Sequence, residues 1–269
     1  MAQSDSAFAG SIPQTYQTYL VPLIFEAYAA DMAARLAARP VSRVLEIAAG
    51  TGVVTRALVS ALPQPVAIVA TDLNQAMLDQ AIVAGTSRPV EWRQADATQL
   101  PFDDGSFDAV VCQFGAMFFP DKAKAFSEAR RVLRPGGFYV FNVWDRLGAN
   151  EFADVVTTAL ESVFPTDPPR FLARTPYSYF DDGAIARDLR VGGFAGAKID
   201  TVPARSRAAS ARVPAIAYCQ GTPLRSEIEA RDASGLSAAT DVATEAIAQR
   251  FGRGAVDAQI QAKVVTVER

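Results

Sequence analysis

The chain is predicted to fold as an α/β protein, a parallel sheet covered by helices on both faces. Two observations carry this. Between residues 43 and 144, strand-like apolar runs alternate with helix-period segments. The first run, Arg43–Ile47, breaks at a small-residue loop, Ala48-Ala49-Gly50-Thr51-Gly52, directly before a helical pattern. A chain of 269 residues suits one large domain, or one domain with an elaborated cap, and buries a full core without staples.

The elements follow in order. Residues 14–38 read as helical apart from Pro22 and are expected to cover one side of the sheet. Val44, Leu45 and Ile47 make the first strand, and Val53, Val54, Ala57, Leu58 and Leu62 mark the helix after it. Val66–Thr71 is the second strand. Asn74 is placed to cap a helix carrying Met77, Leu78, Ala81 and Ile82, which Gly85 ends. Val90–Gln94 is a short third strand, and a turn at Asp103-Asp104-Gly105 leads to a fourth near Ala109–Cys112. Asp121 caps a helix showing Phe126, Ala129 and Leu133. Arg134-Pro135-Gly136-Gly137 ends it, and Phe138–Trp144 is the fifth strand. Beyond it come a helix over Glu151–Phe164 capped by Asn150 and a proline-rich loop over 165–180. A helix over Asp182–Leu189, a strand near Ala197–Val202, helices through 213–251 and a last strand, Ala262–Val267, complete the chain.

Composition removes several function classes. Net charge is −3 with the basic residues scattered, which argues against nucleic acid as the main ligand. Histidine is absent, so the usual general base and the commonest metal ligand are missing. Cys112 and Cys219 lie far apart without metal-ligand spacing, and neither a disulfide nor a metal site is expected. Residues 1–34 hold no Lys or Arg, and Pro22, Glu26 and Asp31 interrupt their apolar stretch. The expectation is a soluble cytoplasmic protein without a membrane span.

Strand, glycine loop and helix N-terminus together make a nucleotide cradle. A dinucleotide site wants G-x-G-x-x-G with amides facing the pyrophosphate. Here Val53 to Thr55 follow Gly52 directly, and Glu46 stands beside the loop. At ~4 Å a unit charge pair is worth about 4 kcal/mol at an effective dielectric of 20, so the sign of the ligand matters. A carboxylate disfavours a pyrophosphate and favours a ligand with a cationic end, such as S-adenosylmethionine (SAM). Asp72 ends the second strand, where a carboxylate can accept from ribose hydroxyls; that feature fits NAD equally well. Asp96 follows the third strand and can accept from an adenine amino group. The three acids are expected to line one crevice at the carboxyl edge of the sheet.

The segments "VLEIAAGTG", "VATDLNQAML", "QADATQLPFDDGSFDAVVCQF" and "EARRVLRPGGFYVFNVWD" stand in that order. Through them, Arg43 to Trp144 resembles the class I SAM-dependent methyltransferases, nearest the small-molecule type that includes the ubiquinone and menaquinone biosynthesis enzymes. The resemblance implies a Rossmann-like, seven-stranded, mostly parallel sheet with its last strand antiparallel. It implies a single methyltransferase domain over 1–269: a helical lid to residue 40, a SAM-binding core over 41–145, and a substrate-side cap with the final strands over 146–269. It also implies roles. Glu46 and the Ala48 carbonyl face the methionine amino group, while Gly50, Thr51 and Gly52 allow close approach. Asp72 holds the ribose, Leu73 and Met77 border the nucleoside, and Asp96 with the Ala97 amide takes the adenine. Gln113, Phe114 and Gly115, after the fourth strand, are expected to edge the methyl-transfer site. The resemblance favours an N-terminal tyrosine near the cofactor carboxylate, with Tyr16 and Tyr19 on offer and Tyr19 the candidate. The family usually has glycine where this chain has Ala48, so φ there is expected to stay negative.

Methyl transfer from a sulfonium is an in-line displacement, in which alignment and desolvation supply most of the acceleration. A base is needed only where the acceptor must lose a proton. Asp145, closing the fifth strand, is the candidate; its alternative role is to satisfy backbone amides at a strand terminus. Glu46 has an alternative as partner of Arg43 or Arg56, Asp72 as a helix cap and Asp96 as a simple turn residue. Asp103, Asp104 and Asp108 read as turn and surface residues, Arg130, Arg131 and Arg134 as a solvated helix face, and Cys112 as core. Tyr16, Tyr19 and the aromatic residues of 164–180 form either hydrophobic pins or lids. The leading reading is a methyltransferase acting on a small, partly hydrophobic acceptor. An NAD(P)-dependent oxidoreductase and a SAM-binding protein without methyl transfer are the alternatives, and the oligomeric state is open.

Overall fold

The computed structural model describes residues 10–269. In chain order it contains α1 (Ile12–Thr15), a π-helix (Tyr16–Phe25), α2 (Glu26–Ala37), β1 (Arg43–Ile47), α3 (Val53–Ala61), β2 (Ala67–Asp72), α4 (Gln75–Ala84), β3 (Glu91–Gln94), β4 (Phe107–Gln113), α5 (Lys122–Val132) and β5 (Leu133–Trp144). Then follow α6 (Glu151–Val163), α7 (Phe171–Arg174), α8 (Asp182–Val191), β6 (Ala195–Ala208), α9 (Arg212–Gln220), α10 (Leu224–Arg231), α11 (Leu236–Phe251) and β7 (Val256–Glu268). Short 3₁₀ turns lie at Ala116–Phe118 and Leu147–Ala149. The strands form a seven-stranded sheet in the order β3-β2-β1-β4-β5-β7-β6, mostly parallel, with the last strand antiparallel.

The chain divides into two compact units. The sheet unit is Glu26–Val143, Tyr179–Val202 and Ala262–Arg269; the helical unit is Met1–Phe25, Trp144–Ser178 and Pro203–Gln261. In the sheet unit β1 pairs in parallel with β2 on one side and β4 on the other. The strand order therefore reverses between β1 and β4, the position at which open α/β sheets leave a crevice beyond their carboxyl ends. Met32 and Leu36 of α2, with Val54, Leu58 and Val59 of α3, bury one sheet face against Val44, Ile68, Ala109, Val111 and Val140. Each fully buried aliphatic side chain of this kind contributes roughly 1.5–3 kcal/mol. On the opposite face Phe126 of α5 meets Phe141 at 5.2 Å and Tyr139 at 6.1 Å between ring centroids.

In the helical unit α6 packs on α9 and α11. Trp144 closes β5 with its ring 5.9 Å from Phe25 and 5.8 Å from Tyr177. Pro22 interrupts nothing: the helix runs through it as a π-helix. Proline has no N–H to donate and its ring crowds the carbonyl four residues back in an α-helix, which a wider turn relieves.

Other boundaries differ from expectation for identifiable reasons. The α5 helix ends at Val132 and strand β5 already begins at Leu133, which pairs with Phe107 ahead of an irregularity in the ladder. Neither Asn74 nor Asn150 caps its helix through its side chain. Asn150 instead donates from Nδ2 to the Asp145, Arg146 and Gln261 carbonyls and accepts the Gln261 N–H. The segment 165–180 contains the short α7, whose first amides bond to Glu227. Strands β6 and β7 extend well beyond 197–202 and 262–267.

Candidate functional site

The loop after β1 is built by local and cross-strand bonds. The Ala49 N–H donates to the Thr71 carbonyl at 2.8 Å, the Thr71 hydroxyl to the Glu46 carbonyl at 2.8 Å, and the Gly52 N–H to the Ala49 carbonyl at 2.9 Å. Three of its five residues are left-handed: Ala48 at φ 55°, Gly50 at 56° and Gly52 at 80°. The negative φ expected of Ala48 is therefore wrong. Holding an L-residue in this region costs about 1–2 kcal/mol, and the surrounding bonds keep it there. Gly52 is required twice over, because a Cβ would also fall 2.9 Å from the Trp92 ring.

The three acids differ in environment. Asp72 is buried; one carboxylate oxygen accepts the Gly50 N–H and the other the Asn74 N–H, each at 2.8 Å. Asp72 thus anchors the glycine loop and turns the chain at Asn74, ahead of α4. Burial pushes its carboxyl above the usual range, against the pull of those amides. Glu46 is 1% exposed, and its carboxylate accepts the Thr55 hydroxyl at 2.6 Å. Burial raises it to about 8, outweighing the Thr55 bond and the nearby Arg56 guanidinium. Arg56 in turn donates to the Thr51 carbonyl at 2.8 Å, so α3 grips both the acid and the loop. Asp96 alone is exposed, accepting from the Thr98 amide and hydroxyl. Glu46 and Asp72 lie on β1 and β2 and Asp96 follows the end of β3, so the acids stand near successive strand ends as expected. Glu46, however, points into the α3 contact and is not an open wall of the crevice.

Around them Met77 and Ala97 are buried, and Leu73 is 51% exposed despite its apolar side chain. The Thr51 hydroxyl is buried without a hydrogen-bond partner. Gln113 is buried at the end of β4, opposite Asn142 of β5. Cys112 is a core thiol, as expected, and burial pushes it up to about 12. Two predicted residues lie in the helical unit. Tyr19 sits half-buried in the π-helix. Asp145 accepts the Arg146 N–H at 2.7 Å and the Gln261 side-chain amide at 2.7 Å, the arrangement of a strand-terminus tie.

Three readings of charged side chains are corrected. Asp108 is no surface turn residue: it is 5% exposed and accepts from the Ser42 amide and hydroxyl and the Arg43 amide. Arg131 is not merely solvated; it bonds to Glu128, Asp104 and the Leu100 and Phe102 carbonyls. Arg134 pairs with Asp108 at 2.6 Å. Arg56 stands near Glu46, as one of its alternative partners, whereas sequence reasoning missed Thr55 and Asn142. The only local signal for the last was one amide inside the apolar run FYVFNVW.

The family profile described as "Methyltransferase domain" matches residues 45–141. The chain is 37% identical over 169 residues to the ubiquinone/menaquinone biosynthesis C-methyltransferase UbiE of Ectopseudomonas mendocina, covering 58% of this chain and 66% of that protein. It is 35% identical over 164 residues to the demethylmenaquinone methyltransferase of Mycolicibacterium gilvum, covering 58% of this chain and 69% of that protein. The chain thus spans just under two thirds of the first of these relatives. A solved structure of phosphoethanolamine N-methyltransferase 2 of Haemonchus contortus has the same fold, with a TM-score of 0.60 and 16% identity over 96% of this chain and 56% of that one. Strand order, the loop after β1 and the relative matched over more than two thirds of its length agree, and the chain belongs to the class I SAM-dependent methyltransferases.

Proposed function

We propose that the chain binds SAM at the carboxyl edge of β1, β2 and β3 and directs its methyl group to a small, partly hydrophobic acceptor of the quinol type. The single observation that carries the cofactor reading is Asp72, a buried carboxylate at a strand terminus with no cation partner among the described residues. Its oxygens accept the Gly50 and Asn74 amides, with the Leu73 amide and the Asn74 side chain also bonding to it, and no cation among the described residues competes with a ribose hydroxyl for them. The residues present fit the cofactor in other respects too. The buried Thr51 hydroxyl has no hydrogen-bond partner among the described residues. Leu73 presents an exposed apolar surface beside Asp72 for a nucleoside to cover, and Asp96 is open to an adenine amino group.

When bound, SAM supplies an electrophilic methyl on sulfur. The chain's contribution is to hold and align. Asp72 fixes the ribose, Asp96 and the Ala97 amide fix the base, and the left-handed loop Ala48–Gly52 brings backbone close to the methionine end. Glu46 acts beneath that loop, through Thr55 and α3. Alignment of this kind is worth about 7 kcal/mol or more of barrier. Both Asp145 oxygens are engaged by the Arg146 amide and Gln261, which supports a tie at the end of β5 over a base. The acceptor class rests on the quinone-pathway names of the relatives.

Titration calorimetry with SAM, its demethylated product and NAD tests the cofactor. Binding of the first two and not of NAD is expected; NAD binding alone would replace this reading with the oxidoreductase. Mass spectrometry on a panel of phenols, quinols, amines and thiols then identifies the acceptor by its added methyl group.

A further inference from the structure

Among the described residues, two non-glycine side chains have left-handed backbone: Ala48 at φ 55° and Phe114 at φ 50°. They follow the ends of β1 and β4, the neighbouring strands between which the order reverses. The two turns touch. A Cβ added at Gly115 would come 2.5 Å from the Ala48 methyl, so the glycine after Phe114 is seated directly on the cofactor loop. Phe114 is itself held from β5: its N–H donates to the Asn142 Oδ1 at 2.9 Å, with the Asn142 carbonyl at 3.2 Å as a second acceptor. Asn142 is completely buried, and its Nδ2 has no hydrogen-bond partner among the described residues.

An asparagine with unpartnered buried donors is a poor choice for filling a core, since a leucine of similar size leaves no donor unsatisfied. Its Oδ1 has a specific task, however. Left-handed backbone at a bulky residue persists only where its surroundings over-determine it. The Asn142 Oδ1 bond to the Phe114 N–H is one of the contacts that hold that turn, beside the edge-on Tyr28 ring 5.3 Å from the Phe114 ring.

We propose that Asn142 is a positioning residue for the cofactor: through Phe114 it sets the turn that presses Gly115 against Ala48 and so fixes the shape of the loop that receives SAM. The proposal rests on the SAM reading of that loop, and it assigns Asn142 no contact with the reacting atoms.

The test compares Asn142→Leu with Asn142→Asp by calorimetry, using the demethylated cofactor as probe, and by thermal melting of the unliganded chain. Asn142→Leu is expected to weaken binding about tenfold while the melting midpoint holds or rises. Asn142→Asp, which keeps an acceptor oxygen for the Phe114 N–H whether ionised or protonated, is expected to stay within about threefold of wild type. A structural role alone gives the opposite split, a lower midpoint with unchanged affinity, and that result overturns the proposal. So does an aspartate variant as weak as the leucine one. If Asn142→Leu does not fold, Asn142→Ser, too short to reach the Phe114 N–H, must show the same loss of affinity. A wild-type chain that fails to bind the probe overturns the cofactor reading and this proposal together, whereas wild-type binding with an unaffected leucine variant overturns this proposal alone.

Discussion

At the amino end of β4, Asp108 accepts the Ser42 hydroxyl and the Ser42 and Arg43 amides and pairs with Arg134 at 2.6 Å. At the carboxyl end of β2, Asp72 is met by the Gly50 and Asn74 amides and by no cation among the described residues. Both side chains are buried. For Asp108 burial is outweighed by the Ser42 hydroxyl, the two amides and Arg134, so its carboxyl is held below the usual range. For Asp72 burial wins and the carboxyl is pushed up. One edge of the sheet neutralises its own acids, with Arg131 on Asp104 repeating the pattern. At the other edge Asp72 has no cation partner among the described residues, and Glu46 has only the Arg56 guanidinium nearby. A carboxylate held this way is suited to a cationic or hydroxyl-rich ligand, and it is poorly used as a scaffold bond.

The comparison can be broken in three ways. The largest effect is expected at the neutralised edge. Asp108→Ala removes the charged acceptor shared by the Ser42 hydroxyl and the Ser42 and Arg43 amides and should cost about 2 kcal/mol of stability, read by denaturant unfolding, with cofactor affinity unchanged. A weaker cofactor at undiminished stability would show that the two edges are not separate in function.

At the ligand edge, Asp72→Ala should lower SAM affinity at least tenfold, about 1.4 kcal/mol, with the fold retained. An unchanged dissociation constant would remove Asp72 from the site.

The pH-dependent effect concerns Glu46, whose folded pKa of about 8 lies above its ordinary value of 4.5 because burial disfavours the charged form. Between those values the folded protein holds a proton that the unfolded chain has released. Stability contributed by this group is therefore complete at low pH and falls as pH rises through that window, by at most about 1.4 kcal/mol per unit. Glu46→Gln should flatten this part of the pH–stability curve between pH 5 and 8. Identical curves for variant and wild type would show that Arg56 keeps Glu46 ionised in the folded state.

Much of the sheet unit was legible from the amino-acid order. The Arg43–Ile47 strand has the expected bounds, and the helices after it and after Asn74 begin where the apolar period begins. Acids at the ends of successive strands were placed correctly because strand and loop boundaries are local. The left-handed Ala48 was misread, since the turn there is held by the Ala49 bond to the Thr71 carbonyl and by Gly115 against the Ala48 methyl, both distant in sequence. The unbroken passage through Pro22 was misread too, because propensity alone favours a break there.

Local periodicity and turn chemistry determined the strand–loop–helix succession and the positions of Glu46, Asp72 and Asp96, and they needed no knowledge of what packs on what. Only the folded chain decided which carboxylates are compensated. That depends on partners such as Arg134 for Asp108 and Thr55 for Glu46. Apolar pattern is read from neighbours in the chain. Solvation and charge are set by neighbours in space, which a single sequence does not reveal.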